Sequence, residues 1–161
     1  MRRRNFLVVI SGHDRKVAKI TATGVGDRPG AAHTIFRAVA ARHVNVNMII
    51  QSVPRQERAD ISFTVGAADM IAAVEAVRAV AAEVGAAEVL ADDQVAMVSA
   101  VGAGMVSNPG VAARMFGALA AAGINIELIA TSEIKVSCVI RAADAERAVQ
   151  ALHKEFELER E

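Results

Sequence analysis

Hydrophobic positions along the chain alternate between two periods, and the switches between them predict the elements. The run Val17-Ala18-Lys19-Ile20-Thr21-Ala22-Thr23 alternates with period two around β-branched residues, which predicts a strand. Pro29 follows, at a position suited to the first turn of a helix, where its missing amide has no helical partner. Ala32, Ile35, Phe36, Val39 and Ala40 then recur at helical spacing as one apolar stripe. Val44 to Ile50 and Ile61 to Val65 predict two more strands, with the polar stretch Pro54 to Ala59 as the hairpin loop between them. Asp69 starts or caps a second helix, with Met70, Val74, Val77, Ala81 and Val84 on one side, and Ala87 to Leu90 closes as a short strand. The order is βαββαβ.

The same grammar recurs 80 residues later. Aligning Pro29-Gly30 with Pro109-Gly110 keeps register through Ser52 and Ser132, and ten of these 24 positions are identical, among them Phe36 with Phe116 and Asn45 with Asn125. A period this long exceeds the roughly 20 to 50 residues of stacked repeats and indicates a duplicated domain. The second copy predicts a strand at Val95 to Val101, and a helix from Pro109 with Ala112, Met115, Phe116, Leu119 and Ala120 inward. Strands at Ile124 to Ala130 and Ile134 to Ile140 follow, then a helix with Ala145, Ala148, Val149, Leu152 and Phe156 on one face. This copy lacks a fourth strand, whereas Phe6 to Ile10 is a strand that the first copy does not need. The expectation is therefore an α+β chain of two ferredoxin-like domains, each an antiparallel four-stranded sheet backed by two helices. Residues 17–92 form the first, and residues 93–161, completed by the N-terminal strand 5–12, form the second.

Composition narrows the function classes. Among 161 residues, eighteen Lys plus Arg balance eighteen Asp plus Glu, so no net field favours nucleic acid or an anionic membrane. The apolar runs are too short to span a bilayer, and Arg2-Arg3-Arg4 with Phe6 to Ile10 does not make a signal peptide, so a cytoplasmic protein is expected. Cys138 stands alone in an alternating run and reads as a small buried strand residue. Gly24-Val25-Gly26 and Gly102-Ala103-Gly104 complete neither a dinucleotide fingerprint nor a phosphate loop, and no cofactor is implied. His13, His33, His43 and His153 have no clustered partners, so neither a metal site nor a nucleophilic site is expected.

Chemistry concentrates in the loop after the first predicted strand, Gly24-Val25-Gly26-Asp27-Arg28-Pro29-Gly30-Ala31-Ala32. Unpaired amides from Gly30 to Ala32 at a helix start suit a small carboxylate, and Gly30 lets it approach without a side chain in the way. Asp27 suits an ammonium group, and the two receivers together describe a free amino acid. Asn45 and Gln51, at either end of the next strand, add amide groups for a polar ligand side chain. The competing structural reading has Asp27 cap the helix and Asn45 turn the chain. In the second copy the loop Gly104 to Gly110 is longer and Ser107 replaces Asp27, which leaves it better placed as a dimer or communication surface. His13-Asp14-Arg15-Lys16 reads as a solvated turn, and the strand-edge contexts of Asp60 and Glu133 favour structural or interface roles. A small enzyme using Asp27 or His33 as acid-base group is the alternative from another class, and neither residue has a second catalytic partner near it in sequence.

Two stretches carry a family resemblance. Gly24 to Gly30 running on to Asn45-Val46-Asn47-Met48-Ile49-Ile50-Gln51, and Val101-Gly102-Ala103-Gly104-Met105 running on to Gly123-Ile124-Asn125-Ile126-Glu127-Leu128-Ile129 and Thr131-Ser132-Glu133-Ile134, resemble the tandem ACT region of aspartate kinase. The similarity extends from about Val17 to Leu158. It implies a beta-type regulatory subunit, or the equivalent fragment of a longer alpha chain, with no kinase domain and no catalysis of its own. It further implies threonine binding at Asp27, Pro29, Gly30, Ala31, Ala32 and Gln51, closed by Asn125 and Ile126 of a facing second ACT domain, with lysine as a possible co-effector. Pro54 and Ala112 stand where some members carry hydroxyl residues in regions linked to feedback control. A homodimer in isolation and a catalytic alpha subunit are the implied partners. An ACT sensor serving a different biosynthetic enzyme is the alternative.

Overall fold

The computed structural model describes residues 6–11, 16–102 and 110–156. Among these, seven strands and four α-helices divide between two compact units, residues 15–93 and residues 1–14 with 94–161.

The first unit contains β2 (Val17–Gly26), α1 (Ala31–Ala41), β3 (Val46–Gln51), β4 (Arg58–Gly66), α2 (Met70–Val84) and the opening residues of β5 (Glu88–Gly102). Its strands run in the order β3-β4-β2-β5, with β4 antiparallel to both β2 and β3. Ala18, Ile20 and Ala22 on β2 and Ile61, Phe63 and Val65 on β4 face the helices and bury against Ile35, Val39 and Val77. Burying each large side chain of this kind stabilises by about 1.5–3 kcal/mol. Phe36 meets Phe63 edge to face, with centroids 5.3 Å apart.

The second unit contains β1 (Phe6–Ser11), the remainder of β5, α3 (Val111–Ala121), β6 (Leu128–Thr131), β7 (Lys135–Arg141) and α4 (Ala145–Glu155). Here β5 pairs antiparallel with β7 and with β1, with Val8 opposite Ala100, and β6 pairs with β7. Met115, Leu119, Cys138, Ile140 and Leu152 form its core.

Several expectations shift. The predicted strands Ala87 to Leu90 and Val95 to Val101 are one continuous strand, β5, because the polar Asp92-Asp93-Gln94 between them stays extended. On α1 the buried line is Ala31, Ile35 and Val39, while Ala32 and Ala40 face solvent. The large residues set the orientation, and an exposed alanine costs little. Pro29 lies before the helix rather than in its first turn. Asp69 occupies the N-cap of α2 without a side-chain cap, after a short 3-10 turn at Ala67–Asp69. The strand expected from Ile124 begins at Leu128, because Gly123 (φ 73) ends α3 and the Ile124 amide returns to the Leu119 carbonyl at 2.9 Å. The loop Gly104 to Pro109, with Ser107, and His13 and Asp14 lie outside the described residues.

Candidate functional site

The geometry of the loop after β2 starts with a bulge. Register with β4 shifts between Ala22 and Val25, where Gly24 takes φ +63, a left-handed conformation open chiefly to glycine. The Gly24 amide donates to Asp60 Oδ1 at 2.9 Å, and Arg58 Nη1 donates to the Gly24 carbonyl at 3.0 Å and to the Gly85 carbonyl at 3.1 Å. Arg58 and Asp60 are two apart on β4 and so share a face.

The Asp27 amide then donates to the Glu57 carbonyl at 2.8 Å, and the Arg28 guanidinium to the Glu83 carbonyl near the end of α2. Glu57 lies in a two-residue hairpin turn closed by Arg55 and Arg58, whose amides donate to each other's carbonyls at 2.8 and 3.0 Å. This turn is tighter than the six-residue loop expected from Pro54 to Ala59, and β4 accordingly begins at Arg58. Beyond Arg28 the chain passes through Pro29 to Gly30, at φ 90, and enters α1. The first helical bond runs from the Thr34 amide to the Gly30 carbonyl at 2.9 Å, and the Ala31 amide, expected to be unpaired, turns back to the Arg28 carbonyl at 3.4 Å, so the Gly30 and Ala32 amides are the ones that favour a negative charge there.

Asp27 does not cap α1, whose N-cap residue is Gly30 with no side-chain bond. Its exposed carboxylate makes no hydrogen bond or ion pair among the described residues. Pro29, Gly30 and Ala32 are exposed beside it, and Ala31 is buried beneath. Gln51 is exposed at the end of β3, opposite Ile61. Because β2 and β3 both run antiparallel to β4, Gln51 and the loop after β2 lie at the same end of this sheet. Asn45 precedes β3 at the opposite end, roughly 20 Å away along the strand, and cannot join Gln51 around one small ligand. Asn125 (exposed) and Ile126 (half-buried) belong to the second unit, between α3 and β6.

The sequence reading missed Arg58, Glu57, Arg28 and Glu83 as supports of this loop and gave Asp60 only a general structural role. The spacing of Arg58 and Asp60 on a strand was visible, but their target, a bulged glycine 34 to 36 residues earlier, was not. A depression of about 390 Å³, lined in part by Arg78, Ala81 and Leu90, shares no residue with the loop. Among the described residues no group of three metal-ligating side chains converges, and no helix is long and apolar enough to cross a membrane.

ACT domain family patterns match residues 19–82 and 98–156. The regulatory subunit of aspartate kinase from Thermus thermophilus, in its ligand-free form, is 41% identical and superposes with a TM-score of 0.87, covering 96% of this chain and 99% of that one. A structure of aspartokinase alpha and beta subunits is 43% identical with a TM-score of 0.85, covering 93% of this chain and 97% of that one. An aspartokinase of Mycolicibacterium smegmatis is 47% identical over 148 residues, which are 91% of this chain but 35% of the relative. The chain therefore spans about a third of the length of such curated relatives.

Proposed function

Since the chain belongs to the aspartate kinase family and comprises its two regulatory ACT domains, we propose that it binds free threonine and relays feedback inhibition to a catalytic alpha subunit. These 161 residues hold no kinase domain, so the role is regulatory rather than catalytic. The observation that carries the threonine reading is the exposed Asp27 carboxylate, unpartnered among the described residues, three residues before a left-handed Gly30 that opens α1. The carboxylate receives the ligand's ammonium group, and the amides that open α1 receive its carboxylate, those of Gly30 and Ala32 directly and that of Ala31 by giving up its long bond to the Arg28 carbonyl. Pro29 holds the chain's entry into that turn, and Gln51 meets the ligand hydroxyl.

Asn125 and Ile126 of a facing second ACT domain close the site, which asks for a homodimer. Support for association comes from β3 and β6, which each pair with one neighbour in their own unit and present Ile49 and Ile129 at 54% and 44% exposure. Closure ties ACT domains together and biases the kinase between active and inactive arrangements, which requires the ligand to bind the two states unequally.

Calorimetric titration of the purified chain with a panel of amino acids tests this. Threonine binds and branched-chain amino acids do not, lysine added with threonine shows whether the two act in concert, and Asp27→Ala weakens threonine binding roughly tenfold to a hundredfold. Absence of threonine binding by the unmutated chain removes the reading, and selective binding of a different amino acid replaces threonine as the effector.

A further inference from the structure

The two units can be aligned internally through a pair of hydroxyls. Thr21 lies opposite Ser62 and Ser99 opposite Ser137, each pair joined oxygen to oxygen, at 2.9 and 2.7 Å. Counting outward from these pairs, Gly24 matches Gly102, Arg58 matches Glu133 and Asp60 matches Lys135. The two strand ends are held differently. In the second unit the Gly102 amide donates to the backbone carbonyl of Ile134 at 3.0 Å, and the residues at the Arg58 and Asp60 positions carry the opposite charges. In the first unit, which carries the loop with Asp27, two side chains grip the Gly24 residue from both sides.

We propose that Asp60 and Arg58 are positioning residues for the amino-acid site, fixing Gly24 and through it the path of the chain from β2 to Asp27 and the start of α1. The proposal rests on the threonine reading for its ligand and on geometry for its mechanism. Gly24 is a glycine at positive φ, so its own conformational preferences hold it weakly and external bonds must select one path. Asp60 supplies the acceptor for its amide, and Arg58 the donor for its carbonyl. The same Arg58 nitrogen reaches the Gly85 carbonyl after α2, and Arg28 reaches Glu83, so the loop is tied to the C-terminal end of that helix. Asp60 is itself held, its amide by Ser52 Oγ and its carbonyl by the Ser52 amide, both at 2.9 Å. Releasing the grip lowers the fraction of chains whose loop is ready to bind, and apparent affinity falls by that fraction.

The test compares Asp60→Ala with Asp60→Asn, which keeps an oxygen acceptor for the Gly24 amide. In the ligand-free chain, exchange of the Gly24 amide with solvent, followed by NMR, speeds up in Asp60→Ala and stays near that of the unmutated chain in Asp60→Asn. Threonine affinity falls roughly fivefold to thirtyfold in Asp60→Ala and stays within about twofold in Asp60→Asn, at similar melting temperatures. Unchanged exchange and affinity in Asp60→Ala, or equal losses in both variants, overturn the proposal. Should Asp60→Ala fail to fold, Arg58→Gln takes its place, with weakened binding expected and unchanged binding contradicting it. If the unmutated chain binds no threonine, the threonine reading falls, while the exchange measurement still decides whether Asp60 holds Gly24.

Discussion

The hydroxyls of Ser99 and Ser137 lie 2.7 Å apart across β5 and β7, on residues that are each 3% exposed. Each satisfies the other away from water, so removing one strands its partner. Ser137→Ala is expected to destabilise by about 1–3 kcal/mol, and the double variant Ser99→Ala with Ser137→Ala by less than the two single changes combined. Urea unfolding of the four proteins measures the coupling, and strict additivity would count against it. The corresponding Thr21 and Ser62 are half-buried, so their coupling is smaller.

Gln56 and Glu57 both adopt positive φ, at 51 and 61, in the turn between Arg55 and Arg58. Two-residue hairpins with this geometry favour Asn-Gly, because a β-carbon there crowds the backbone. Glu57→Gly is expected to stabilise the first unit by about 1 kcal/mol, and it preserves the carbonyl that accepts the Asp27 amide. A thermal melt that shows no gain or a loss refutes this.

Cys138 lies in the second core, and burial pushes its thiol from 9.0 up to about 12. The folded state keeps the proton longer than the unfolded chain does. Stability from the neutral thiol is therefore complete below about pH 9 and declines as pH rises from about 9 towards 12. The chain has no tyrosine, and lysine titration is common to both proteins when Cys138→Ala is the reference. The urea midpoint of the unmutated chain is expected to fall relative to Cys138→Ala between about pH 8.5 and 10.5. A difference that does not change with pH contradicts the assignment.

Gln51 is exposed and contributes little packing. Gln51→Ala is expected to leave stability within about 0.5 kcal/mol while weakening threonine binding severalfold. An unchanged titration curve removes Gln51 from the site.

The elements were legible because their signals are local. Period-two alternation marked β2, and helical spacing marked α2 and α4. Boundaries failed where long-range pairing or an unusual backbone angle decided them. Asp92-Asp93-Gln94 reads as a break between strands but stays extended within β5. Pro29 reads as a helix start, but the left-handed Gly30 delays the helix to Ala31. Asp27, Gly30 and Gln51 were singled out from residue type and position, and strand pairing brings them to one end of the first sheet. Asn45 was wrongly grouped with Gln51, because sequence order does not say which end of a strand faces the loop.

The sequence by itself determined the duplicated βαββαβ grammar, the unequal loops after the first strand of each copy and the placing of an acid before a glycine-opened helix. These depend on residue type and spacing, which fold locally. Only the tertiary structure decided that Arg58 and Asp60 close on Gly24 and that Glu57 holds the Asp27 amide. Those bonds join residues 30 or more positions apart, and β4 brings them together only by pairing antiparallel to β2.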